Sequence, residues 1–196
     1  MLLNLVKFIF RTYFRVFYKL EIVGLDNIPL TGPVVLTCNH VSNFDPPLVG
    51  GFIGLKRDPI YIIKKELLSV PLVGAALKSF GFIAIDRQRK GGDLRSLKSA
   101  LRVIKEGKAL FIFPEGTRSK SGKMLKPKAG VGFLLWHCNV PVIPIRVFNT
   151  EKLPFTRNLK MVVGKPFMLK KQEGKEVKKQ FQDFADQVMQ EIIKLK

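Results

Sequence analysis

The chain has 196 residues, 46% of them hydrophobic, which suits one domain with room for a proper core. Lys and Arg outnumber Asp and Glu by 34 to 15, a net charge of +19, so the expected partners are polyanionic: nucleic acid, an anionic membrane or phosphorylated substrates. A mean hydropathy of +0.12 is greasier than suits a purely nucleic-acid-binding domain of this charge; it favours an anionic membrane surface and argues against nucleic acid, while two cysteines exclude a disulfide framework.

In residues 2–20, Lys7, Arg11, Arg15 and Lys19 recur every fourth position among Leu, Val, Phe, Ile and Tyr. On a helix that spacing draws a narrow basic stripe along an otherwise apolar surface. Spanning a bilayer takes ~20 mostly apolar residues without a charge at every turn. The segment is therefore expected to lie in the membrane interface with its cations among the headgroups; packing against a core is the alternative. We set residues 1–21 apart as this helix and 22–196 as the main domain. No secretory signal pattern is present, so the expected location is the cytoplasmic face of the cell membrane, as a peripheral or monotopic protein.

Apolar runs at 33–38, 59–63, 82–85 and 109–113 read as strands, and the segments between them mostly as helices. This βα alternation predicts a single α/β domain with a mixed, mostly parallel sheet flanked by helices. The clearest helix is 93–106, where Asp93 can cap the start, Leu94, Leu97, Leu101 and Ile104 share a face, and Gly107 can end it. Strands at 141–147 and 159–163 follow. A last helix over about 175–195 places Val177, Phe181, Phe184, Val188 and Ile192 on one side.

Ligands of open α/β sheets bind beyond the carboxyl ends of the strands. Three polar clusters sit there: His40 to Asp45 after the first strand, Asp86-Arg87 after the third, and Pro114 to Ser119 after the fourth. Parallel strands would gather His40, Asp45, Arg87, Glu115 and Arg118 on one edge. An imidazole, with an ordinary pKa of about 6.5, can take a proton from a hydroxyl at neutral pH when a carboxylate fixes its tautomer. Asp45 suits that role for His40, although Asp before Pro46 and Pro47 is equally an ordinary helix cap, and a lone histidine is often structural. No Gly-x-Ser-x-Gly elbow is present, and Ser42 is too near His40 in sequence to be its nucleophile, so the attacking hydroxyl is expected to come from the substrate.

Arg87 and Arg118 suit a phosphate, since a guanidinium offers paired donors and keeps its charge. Lys64 and Lys128 can add positive charge. Gly116 and Thr117 belong to a loop where glycine permits close backbone approach to a ligand, and Glu115 can accept from substrate hydroxyls. Cys38 with His40, and His137 with Cys138, lack zinc-site spacing, so no metal is expected; His137 reads as structural on a helix near 130–139.

Asn39-His40-x-Ser42-x-x-Asp45, Gly81 through Ile85-Asp86-Arg87, Phe113 through Ser119 and Val140-Pro141-Val142-Ile143-Pro144-Ile145 resemble, in order, the four motifs of the glycerolipid acyltransferase family. With the similar entry at Gly24 to Pro29, the resemblance covers about residues 24–146, and within the family it is strongest to bacterial 1-acylglycerol-3-phosphate acyltransferases. It implies transfer of a fatty acyl group from a thioester of acyl carrier protein or coenzyme A to the hydroxyl of lysophosphatidate, giving phosphatidate. The same chemistry on glycerol 3-phosphate or another lipid alcohol is the alternative, and a non-enzymatic basic binding protein a more distant one. By the resemblance, His40 is the general base, Asp45 its partner, and Arg87, Glu115, Gly116 and Arg118 hold the glycerol phosphate. The thioester is a co-substrate, and no cofactor or metal is implied.

Overall fold

The computed structural model describes residues 2–86 and 93–196. Seven strands are seen among these residues: β1 (Lys19–Val23), β2 (Val34–Cys38), β3 (Ile60–Lys64), β4 (Ile83–Ile85), β5 (Ala109–Ile112), β6 (Val142–Phe148) and β7 (Asn158–Val163). They form one sheet in the order β1-β7-β6-β2-β5-β3-β4. The five from β6 to β4 are mutually parallel, β7 is antiparallel to β6, and β1 runs with β7. The carboxyl ends of β2, β3, β4, β5 and β6 thus share one edge.

β2 is central and wholly buried, as an apolar strand covered on both faces should be. Its side chains alternate between two cores. Val34, Leu36 and Cys38 join Leu48, Phe52, Phe111 and Ile145 under α1 (Leu2–Phe17) and α2 (Asp45–Ile53). Val35 points the other way, to Leu110, Ile104, Leu134 and Val188 under α4 (Leu94–Lys105), α5 (Ala129–Cys138) and α6 (Val177–Lys194). A short α3 (Val73–Ser79) links β3 to β4. At Gly132 a Cβ would collide with the Phe181 carbonyl, so glycine is what lets α5 and α6 approach so closely.

The expected strands, α4 and α6 are all found within two residues of their predicted ends. Asp93 caps α4, accepting from the Ser96 amide at 3.1 Å, and Gly107 ends it at a φ of 76°.

The N-terminal segment differs from expectation. The helix stops at Phe17 and the chain turns into β1, so Lys19 belongs to a strand and the division at 21/22 falls inside it. Strand wins because Leu20 and Ile22 alternate inward while the backbone pairs with β7. Two of the stripe's cations also turn toward the rest of the chain. Lys7 turns back to Asp58 at 2.6 Å with its side chain only 11% exposed, and the Arg15 guanidinium lies 5.5 Å from the centre of the Phe52 ring. Phe14 is fully buried, worth roughly 1.5–3 kcal/mol, so this helix shares the core of the main domain. α1 shows outward the large apolar side chains of Leu2, Leu5, Phe8, Ile9, Val16 and Phe17, together with Asn4, Thr12 and Arg15. Among the described residues no helix is long and apolar enough to cross a membrane.

Candidate active site

β2 ends at Cys38, and the next residues carry the site. Asn39 is buried, and its side-chain amide behaves like another strand residue: Oδ1 accepts from the Val147 amide at 2.9 Å and Nδ2 donates to the Val147 carbonyl at 3.1 Å. This clamp holds the end of β6 against β2 and leaves the His40 backbone amide for another partner. That partner is Glu115, whose Oε1 accepts it at 2.7 Å, while the His40 carbonyl accepts from the Ser119 amide at 2.9 Å. His40 is therefore fixed through its main chain to the loop that follows β5.

The His40 Nδ1 lies 2.9 Å from Asp45 Oδ2. That oxygen also accepts the Val41 and Ser42 amides, each at 2.7 Å, and Oδ1 accepts from the Thr150 hydroxyl at 2.5 Å. Four donors thus surround a carboxylate with no exposed surface, which is how a buried charge avoids a large desolvation penalty. A carboxylate so placed is an acceptor, so Nδ1 carries the proton and Nε2 is left as the acceptor. No partner occupies Nε2 among the described residues, and the side chain keeps 13% exposure. The expected cap is not made: Phe44 occupies the cap position of α2, and Asp45, its first residue, folds its carboxylate back onto the preceding turn. Pro46 and Pro47 suit the first helical turn, where amide donors have no partner in any case.

Glu115 is wholly buried, with Oε2 accepting the Leu125 amide at 2.7 Å in addition to the bond with His40. The expectation that it meets substrate hydroxyls therefore gives way to a joining role. Burial holds its carboxyl above the ordinary glutamate range, against the opposing pull of the two backbone donors. Gly116 sits at a φ of 68°, and the Lys128 side chain packs where a Cβ would project. Thr117, Arg118 and Lys128 are exposed on this loop and at the start of α5, and no hydrogen bond or ion pair engages the Arg118 guanidinium among the described residues. Lys64, at the end of β3, is exposed on the same sheet edge and pairs at 3.4 Å with Glu66. Arg87 lies outside the described residues.

The two thiols are subdued. Cys38 is buried beside Asp45 and Glu115, and burial followed by those two charges pushes its pKa well up; burial raises Cys138 to about 11. His137 gives Nδ1 to the Phe133 carbonyl at 2.8 Å, as a structural histidine on its own helix.

Two contributors were not foreseen from sequence. Thr150 reaches Asp45 across 105 positions, and Phe113 stacks on the His40 ring. Thr150 has no local sequence signal, and Phe113, although it opens the third motif, shows its contact with His40 only when β5 lines up beside β2.

The profile of the acyltransferase family matches residues 19–148. A 1-acyl-sn-glycerol-3-phosphate acyltransferase of Pseudomonas aeruginosa is 37% identical over 129 residues, 65% of this chain and 48% of that protein. One from Borreliella burgdorferi is 30% identical over 142 residues, 72% of this chain and 55% of that protein. A chloroplastic one from Brassica napus, BAT2, is 33% identical over 138 residues, 70% and 39%. The chain thus spans about half the length of the curated relatives it matches. The crystal structure of the 1-acyl-sn-glycerophosphate (LPA) acyltransferase PlsC of Thermotoga maritima superposes with a TM-score of 0.73 at 24% identity, over 96% of this chain and 77% of that one, a likeness of fold. With its matched region running from β1 to the end of β6 and enclosing the His40–Asp45 pair, the chain belongs to the acyltransferase family.

Proposed function

We propose that this protein transfers a fatty acyl group from a thioester, of acyl carrier protein or coenzyme A, to the free hydroxyl of lysophosphatidate, producing phosphatidate for phospholipid synthesis. The observation that carries this reading is the His40–Asp45 pair, with Nδ1 engaged at 2.9 Å and Nε2 open at the sheet edge. In the step, Nε2 takes the acceptor's hydroxyl proton as the oxygen attacks the thioester carbonyl. The C–O bond forms, the C–S bond breaks, and the leaving thiolate recovers the proton from His40. Asp45 steadies the imidazolium in between. Atoms and charges balance with the thioester as the sole co-substrate. Arg118, exposed on the loop beside His40, is suited to the acceptor phosphate, and the acceptor class agrees with the relatives' names.

A membrane is the natural source of such an acceptor. Six large apolar residues of α1 are each 50–68% exposed, which supports docking on a lipid surface, and the net charge of +19, with Arg15 exposed on the same helix, favours an anionic one. We propose the cytoplasmic face of the cell membrane as its location.

The test uses purified protein with lysophosphatidate or glycerol 3-phosphate as acceptor and each thioester as donor. Phosphatidate should form from lysophosphatidate in preference to lysophosphatidate from glycerol 3-phosphate, and His40→Ala should lose ~10²–10⁴ of the rate. Asp45→Asn should lose turnover far more than acceptor affinity, since an amide cannot serve all four donors. A His40→Ala variant that keeps most of its turnover rejects the mechanism.

A further inference from the structure

We infer that Thr150 is a positioning residue for the reaction, acting through Asp45; this rests on the reading of His40 as base. Among the described residues, three of the four donors to Asp45 converge on Oδ2, and Thr150 alone holds Oδ1, at 2.5 Å. A carboxylate gripped by one oxygen can swing about its own bond, whereas one gripped at both presents a fixed edge to the imidazole. Thr150 is 1% exposed, so no water can stand in for its hydroxyl without a rearrangement.

The hydroxyl itself is fixed by the fold. Thr150 begins a short 3₁₀ turn, Thr150–Lys152, directly after β6. Asn149 before it adopts a φ of 65°, and its Nδ2 donates to the Asn158 carbonyl at 3.0 Å, fastening the turn to the start of β7. Two residues earlier, Val147 is clamped by Asn39, the neighbour of His40. A line of short contacts therefore runs from His40 through Asn39 and Val147 to Thr150, and returns through Asp45 to the ring. Both ends of that loop set the imidazole.

Thr150→Val, which keeps the shape and deletes the hydroxyl, should lower kcat at least tenfold while leaving the acceptor KM within twofold. Thr150→Ser, which restores the donor, should recover most of the rate. If Thr150→Val fails to fold, Thr150→Ala carries the same expectation, with circular dichroism verifying its fold. A wild-type kcat in a folded hydroxyl-free variant overturns the inference, as does a Thr150→Ser variant as slow as Thr150→Val. His40→Ala, assayed in parallel, separates the two levels. Were it active, the base assignment itself would fall; were it dead while Thr150→Val remained fully active, the positioning role alone would fall.

Discussion

The His40 ring lies almost flat on Phe113, with centroids 4.1 Å apart and planes inclined by 18°. The bond to Asp45 fixes one edge of the imidazole but leaves it free to rock about that edge, and the phenyl face blocks the rocking. Stacked aromatic pairs contribute ~0.5–1.5 kcal/mol beyond area burial. Phe113→Leu keeps apolar bulk without the flat face. It should lower kcat by about 2- to 10-fold with acceptor KM unchanged, as steady-state kinetics would read. An unaltered kcat would show that Asp45 alone suffices.

Arg118 has no side-chain partner among the described residues and is exposed, so changing it should leave the melting temperature in place. Arg118→Lys retains charge but loses the paired donors. Acceptor KM should rise by about an order of magnitude, the increment of ~1.4 kcal/mol expected for a lost charged hydrogen bond, with donor KM constant. A rise in donor KM instead would assign Arg118 to the thioester.

Glu115 makes stability depend on pH in a direction that can be worked out. Its proton is held more tightly in the native state than in the unfolded chain, because burial raises its pKa above the ordinary 4.5. The stability this contributes is fully present below that value and is lost as pH rises through the raised one. Glu115→Gln lacks the titration, although it also loses an acceptor, at a cost of ~1–3 kcal/mol. The stability advantage of wild type over the variant should therefore be largest in acid and shrink as pH rises through this window. Denaturant melts at several pH values would read it. An advantage that grows with pH would mean the two backbone donors outweigh burial.

The two sides of α1 should separate experimentally. Phe8→Ser with Ile9→Ser changes side chains that are 58% and 55% exposed, so it should weaken sedimentation with anionic vesicles and leave the melting temperature alone. Lys7→Ala removes a cation already committed to Asp58, so it should cost ~0–1 kcal/mol of stability and leave vesicle binding intact. The opposite pattern would place the lipid contact on the basic side.

The parts legible in the sequence were those written locally. Strands such as 109–113 announced themselves as apolar runs, and α4 by its spacing and its Asp93 cap. His40 and Asp45 were legible because they lie on one short turn. The end of α1 was not, since residues 2–20 satisfy helical spacing throughout and only the distant β7 makes a strand of Lys19–Val23. Glu115 was misjudged for the same reason: a carboxylate in a Gly-containing loop looks available to a ligand until the His40 and Leu125 amides are seen to claim it. The inward turn of Lys7 to Asp58 was not legible either, because regular spacing of charge does not say which side of a helix meets the rest of the chain.

The depressed acidity of both native thiols has a practical outcome. Thiolate, rather than thiol, reacts with alkylating labels, so Cys38, buried and raised, and Cys138, at about 11, form a quiet background at neutral pH. A cysteine introduced at Phe155, 94% exposed on the connection between β6 and β7, would titrate like a free thiol and take a spin label or fluorophore almost alone. The polarity reported from that single point, with and without vesicles, would measure how near the rim beside Thr150 comes to the lipid, without first stripping the chain of its own sulfur.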